Sequence, residues 1–121
     1  MFKTILLIES DNALKDFFCR VFYIDGFEVI HLDSQDKIQT LSKLEVDSIN
    51  MLIIDECQDP EKFKPAFDEV FKKCNRESVP TLAVLKKGTN AELFHKKFDA
   101  VIVKDNFNIQ LLCDLVDRLT S

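Results

Sequence analysis

The sequence predicts an α/β fold: a five-stranded, doubly wound parallel sheet in strand order 2-1-3-4-5, with helices on both faces in a three-layer sandwich. Three observations lead there. Five short β-rich runs alternate along the chain with five helical patterns, which is the signature of parallel strands joined by helical crossovers. The first and third runs are apolar throughout rather than alternating, as strands covered on both faces are. The length, 121 residues, suits one ordinary domain (1–121) and leaves no room for a second.

The first run is Thr4 to Ile8. From Asn12 to Ile24 the chain reads as a helix, with Leu14, Phe17, Phe18, Val21 and Phe22 at helical spacing and Asp11 as its cap. Asp25-Gly26 ends it. Phe27 to Leu32 is the second strand. Asp33 and Ser34 are placed to cap a short helix carrying Ile38, Leu41 and Leu44. Met51 to Ile54 is the third strand and stops at Asp55. Pro60 opens the next helix, with Phe63, Phe67, Val70, Phe71 and Cys74 on one stripe and Pro65 in its first turns. Val79 to Leu85 is the fourth strand, and Pro80 stands near its start, where a missing N–H is tolerable. A short helix spans about Asn90 to Lys97, and Val101 to Val103 is the fifth strand. The last helix starts near Asn106 and carries Ile109, Leu112, Cys113, Val116 and Leu119.

Composition excludes several classes. The net charge of −5 argues against nucleic acid, whose binding needs clustered Lys and Arg. The two glycines, Gly26 and Gly88, cannot build the glycine-rich turn of a P-loop or dinucleotide site. The four cysteines are far apart, with no CxxC or Cys/His cluster, so neither a disulfide framework nor a zinc site is signalled. No apolar run approaches the roughly 20 residues of a membrane span, no leader peptide is evident, and a reducing cytoplasm is the expected location. His31 and His95 are isolated, and no Ser/His/Asp or Cys/His constellation can be assembled. Cys57, beside Asp55 and Glu56, has acidic neighbours that raise a thiol pKa and argue against a nucleophile.

In open parallel sheets the functional crevice lies outside the carboxyl ends of the strands. Here that edge carries Glu9-Ser10-Asp11, Asp55-Glu56-Cys57, Leu85-Lys86 and Lys104-Asp105. Together with Ile5-Leu6-Leu7-Ile8, Met51-Leu52-Ile53-Ile54, Val79-Pro80-Thr81-Leu82 and Val103, in that order and spacing, these residues resemble the receiver domain of two-component response regulators, the CheY-like relative of the flavodoxin fold. The resemblance covers essentially the whole chain. It implies that Asp55 is the phosphoacceptor, that Lys104 pairs with the phosphoryl oxygens, and that Glu9, Asp55 and the backbone carbonyl of Cys57 hold Mg²⁺. It also implies a protein partner: a histidine kinase or a downstream signalling protein.

The departures from the family pattern are as informative. Ser10 stands where the family has a second acidic metal ligand, so the Mg²⁺ site is expected to be weak. Leu85 replaces the Thr or Ser whose hydroxyl bonds the phosphoryl group. Val101 replaces the aromatic that moves with it, and Asp105 replaces the proline after the lysine. The usual bistable element is therefore expected to be missing. Each site residue has a plainer reading: Asp11 as a helix cap, and Asp55–Lys104 as a structural ion pair.

The expected function is a receiver or pseudo-receiver that acts by protein–protein contact and is not an independent enzyme. A flavodoxin-like small enzyme or ligand carrier using the same crevice is the alternative; an interaction domain with a relic acidic site is a third. On the last helix Leu111 and Leu115 widen the apolar stripe and mark a candidate partner or homodimer surface on the face of the fourth and fifth helices.

Overall fold

The computed structural model describes residues 2–104 and 108–121. Its elements alternate as β1 (Lys3–Ile8), α1 (Asn12–Ile24), β2 (Phe27–Leu32), a 3₁₀ turn (Gln35–Thr40), α2 (Lys43–Ser48), β3 (Ile49–Asp55), α3 (Pro60–Lys73), β4 (Thr81–Leu85), α4 (Ala91–His95), β5 (Ala100–Val103) and α5 (Ile109–Thr120). The five strands form one parallel sheet in the order β2-β1-β3-β4-β5, as expected.

The unbroken apolar runs are explained by covering on both faces. Side chains alternate across a strand, so Leu6, Ile8, Leu52, Ile54, Ala83 and Leu85 enter one core with Val46 of α2, Phe63, Phe67 and Phe71 of α3 and Phe94 of α4. Ile5, Leu7, Met51, Ile53, Leu82 and Val84 enter the other, with Phe18 and Phe22 of α1 and Leu112 and Val116 of α5. A register shift between Thr4 and Ile5 puts Ile49 in the same core as Leu52. Each fully buried phenylalanine contributes about 2–3 kcal/mol. Most of the phenylalanines serve this purpose: Phe94, Phe98, Phe63, Phe67 and Phe71 run ring to ring at 4.8–6.5 Å.

Local chemistry sets the helix ends. The Asp11 side chain accepts from Leu14 N–H at the start of α1. Pro60 stands at the start of α3 behind an Asp59 cap, and Asn108 caps α5. The expected single helix after β2 is instead two pieces. Ser34 caps the 3₁₀ turn, and then Ser42 and Glu45 form a reciprocal capping box that starts α2 afresh. This break turns Leu44 into solvent at 83% exposure and leaves Val46 to fill the core. Phe17, expected on the buried stripe, is also exposed, because Phe18 and Phe22 take that face. Cys74 ends α3 as its cap rather than lying within it. Pro80 precedes β4, which it cannot join as a donor, and its carbonyl accepts from Leu52 N–H. Asn90 caps α4 instead of belonging to it. The expected start of the last helix, Asn106, lies outside the described residues. Among the described residues no helix is long and apolar enough to cross a membrane.

Candidate functional site

The sheet register aligns the carboxyl ends of its central strands. Ile8 of β1 pairs with Ile54 of β3, and Asp55 pairs with Val84 of β4. Glu9 follows β1 directly and Lys104 follows β5, so both arrive at the rim where Asp55 ends β3. The Asp55 side chain is fully enclosed and that of Lys104 is 28% exposed. The Lys104 ammonium lies 2.9 Å from Asp55 Oδ1 and donates to Oδ2 at 3.0 Å. It also donates to Glu56 Oε2 at 2.7 Å. Burial pulls the Lys104 pKa down, but the hydrogen bonds to Glu56 and Asp55 outweigh it and hold the pKa above the ordinary lysine value.

Glu9 is 3% exposed. Its Oε2 accepts from Asp11 N–H at 3.2 Å, and its backbone carbonyl accepts from His31 Nε2 at 2.8 Å. Burial, then its contact with Asp55, pushes the Glu9 carboxyl up to about 8. Its Oε1 and Asp55 Oδ1 are buried without a hydrogen-bond partner; the second has only the misaligned Lys104 charge beside it. Orphaned buried acceptors are costly. In the metal-free chain the proton kept by Glu9 can serve the pair, and a small divalent cation would satisfy both oxygens by displacing it, so these residues fit one. Among the described residues no three His, Cys, Asp or Glu groups converge on such a position. Two carboxylates, the Cys57 carbonyl and water would have to supply the ligands.

The loop after Asp55 is held in an unusual shape. Glu56 and Asp59 both have φ of 52°, in the left-handed region. The Glu56 N–H donates to Val84 O at 2.8 Å. The Gln35 side-chain amide clamps Gln58 from both sides, donating to its carbonyl at 2.7 Å and accepting its N–H at 3.0 Å. A cleft of about 260 Å³ opens between these loops, lined by Ser10, Gln35, Asp36, Asp55, Glu56 and Gln58 among others. A second of about 220 Å³ lies beyond Glu56, along Cys57, Leu85, Lys86, Thr89 and Phe94.

The structure thus brings Glu9, Asp55 and Lys104 together. Ser10 is exposed on the cleft wall, and Asp11 is occupied as a helix cap. Leu85 is buried in the core beside Phe94, with one edge on the second cleft, and Val101 is half-buried against the same core. Asp105 lies outside the described residues. Cys57 is buried, and burial first, then Asp59, raises its thiol to about 12. The direction is the expected one, although burial rather than acidic neighbours is the main cause. Leu111 is exposed, whereas Leu115 is half-buried against the core. Sequence reasoning missed Glu56 as a partner of Lys104 and Gln35 as a clamp. Nothing in either residue type announces the left-handed turn or the loop contact that gives it its place.

No protein-family model matches the chain, and no curated protein sequence matches it. Solved structures do. A response-regulator receiver domain protein from Clostridium thermocellum matches with a TM-score of 0.79 at 16% identity, covering 98% of this chain and 94% of that one. Chemotaxis protein CheY4 of Vibrio cholerae matches with a TM-score of 0.74 at 15% identity, over 98% and 99%. The signal receiver domain of a two-component histidine kinase from Clostridium thermocellum matches with a TM-score of 0.75 at 20% identity, over 100% and 99%. The chain therefore has the CheY-like fold of response-regulator receiver domains.

Proposed function

We infer that the chain is a signalling receiver of the two-component type with an impaired switch, in which Asp55 accepts a phosphoryl group and output passes through protein contact. The observation that carries this is the enclosed Asp55 carboxylate, with one orphaned oxygen, held between Glu9 and the Lys104 ammonium at the strand ends. Phosphoryl transfer to a carboxylate is mainly positioning and charge neutralisation. Lys104 neutralises from one side. A bound Mg²⁺ supplies neutralisation from the other, and Glu9, Asp55 and the Cys57 carbonyl would hold it, weakly, because Ser10 adds no charge.

Leu85 and Val101 offer neither the hydroxyl nor the aromatic that usually links this site to the far surface, so the switch is impaired. The domain acts in the cytoplasm as a binding module rather than as an independent enzyme. Its partner is a histidine kinase, a downstream signalling protein or a second copy of the chain, and not nucleic acid. Incubation with a small phosphodonor and Mg²⁺, followed by intact-mass spectrometry, tests the reading. One added phosphoryl group is expected, absent from Asp55→Asn. A wild-type chain that stays unmodified would leave the carboxylate–lysine pair as a structural contact.

A further inference from the structure

Lys104 serves two carboxylates, and the function above uses only one of them. Its contact with Glu56 Oε2, at 2.7 Å, is shorter than either contact with Asp55. Glu56 reaches it through the left-handed backbone at φ 52°, a conformation that side chains other than glycine rarely adopt. The hydrogen bond from its N–H to Val84 O fixes that turn. Glu56 also lines both clefts at the strand ends, so it stands at the mouth of the enclosed Asp55. The Lys104 ammonium is one positive charge already shared by two anions. A phosphoryl group arriving at Asp55 is a third.

We propose that Glu56 is an internal competitor for Lys104: its carboxylate engages the ammonium that a phosphoryl group on Asp55 would need, and so slows phosphoryl transfer. This rests on Asp55 being the phosphoacceptor. Glu56 is a positioning residue that acts through Lys104. With acetyl phosphate as donor, an Asp55 carboxylate oxygen attacks phosphorus, the phosphorus–oxygen bond to the acetyl group breaks, and acetate leaves with that electron pair. Breaking the Glu56 pair should assist this step only modestly, because the Glu56 side chain is 47% exposed and such pairs are weak.

The test compares initial labelling rates of wild type, Glu56→Gln and Asp36→Asn with acetyl phosphate and Mg²⁺, read by intact mass. Asp36 lines the same cleft, so its substitution removes an equal charge away from the lysine. Glu56→Gln is expected to label about two- to fivefold faster than wild type, with Asp36→Asn unchanged. Reductive methylation of Lys104, read on its peptide, should also speed up in Glu56→Gln alone. Equal labelling of wild type and Glu56→Gln overturns the inference and leaves the phosphoacceptor standing. Equal acceleration by Asp36→Asn overturns it too, since cleft charge alone would then suffice. An unchanged methylation rate overturns the Glu56–Lys104 competition itself. No label in any variant, with Lys104 freed in Glu56→Gln, marks the failure of the phosphoacceptor reading and takes this inference with it.

Discussion

The strand-end crevice has two unlike halves. Between β1 and β3 it is charged and enclosed: Glu9 and Asp55 face each other, each with a buried oxygen lacking a hydrogen-bond partner, and Lys104 pairs with Asp55 from the β5 side. On β4 and β5 it has an apolar edge: Leu85 and Val101 belong to the phenylalanine-rich core under α3 and α4. One half keeps groups under electrostatic tension, and in the other the side chains of residues 85 and 101 offer no hydrogen-bond donor to an incoming anion. The contrast teaches that one strand-end rim can hold enclosed charge and an apolar core edge side by side, because different strands supply the two; on the proposed function, the first would receive a phosphoryl group and the second would fail to transmit its arrival.

The largest effect should come from the charged half, through pH. The Glu9 carboxyl titrates near 8 in the folded chain because burial and Asp55 disfavour its ionised form; its ordinary value is 4.5. Between those values the folded state keeps a proton that the unfolded state has lost. Stability should therefore fall as pH rises from about 5 to 8, by up to a few kcal/mol. Asp25, raised by burial and by Asp117, adds a slope of the same sign. Urea midpoints at pH 5.5 and 8.5 check this: Glu9→Gln should flatten most of the slope. An unchanged slope in that variant would put the tension elsewhere. Added Mg²⁺ should stabilise the wild type more at pH 8.5, where Glu9 is more readily ionised.

The apolar half gives the next effect. Leu85→Thr removes buried methyl groups and places a hydroxyl in the core, so a loss of about 2 kcal/mol is expected in urea unfolding. The rate at which a phosphodonor labels Asp55 should stay close to wild type, because the substitution changes no charge at the site and a restored hydroxyl would bond the phosphoryl group only once it is on Asp55. A labelling rate that changes severalfold would erase the division between the halves.

The division was partly legible in the sequence. Glu9, Asp55 and Lys104 could be placed because each follows an apolar run, and a parallel sheet sends all such run ends to one edge. Leu85 stood out because an apolar residue occupied a polar post. Helix spacing alone could not place Leu44 or Phe17, since both sit at core spacing yet face solvent. For Leu44 the capping box at Ser42 restarted the helix, and for Phe17 the neighbouring Phe18 and Phe22 already filled the face. Glu56 was invisible for a different reason. Its role depends on one backbone angle, and no pattern of residue types specifies a left-handed glutamate.

A smaller effect should follow from restoring charge. Ser10→Asp adds a carboxylate to the cleft wall beside Glu9 and Asp55, and Mg²⁺ affinity by calorimetry should rise about tenfold, or about 1.4 kcal/mol. Equal affinity in the two forms would mean that residue 10 is not placed to ligate.

The smallest expected effect on stability lies away from the crevice, on α5. Leu111 and Leu115 were both candidates for a partner surface, but the structure separates them. Leu115 packs partly against the core, so a charge there would cost stability and confuse the result. Leu111 is 41% exposed, and Leu93 of α4 is 37% exposed. Leu111→Asp should therefore change the unfolding midpoint little, by about 0.5 kcal/mol or less, while weakening association with a partner or a second copy. If the switch is impaired at Leu85 and Val101 as proposed, Asp55→Asn should associate as the wild type does. Light scattering and pull-down on the two variants decide between the alternatives. Association lost in Asp55→Asn and kept in Leu111→Asp would show that the charged half does reach the far surface, by a route that uses neither Leu85 nor Val101, and that the contact lies elsewhere.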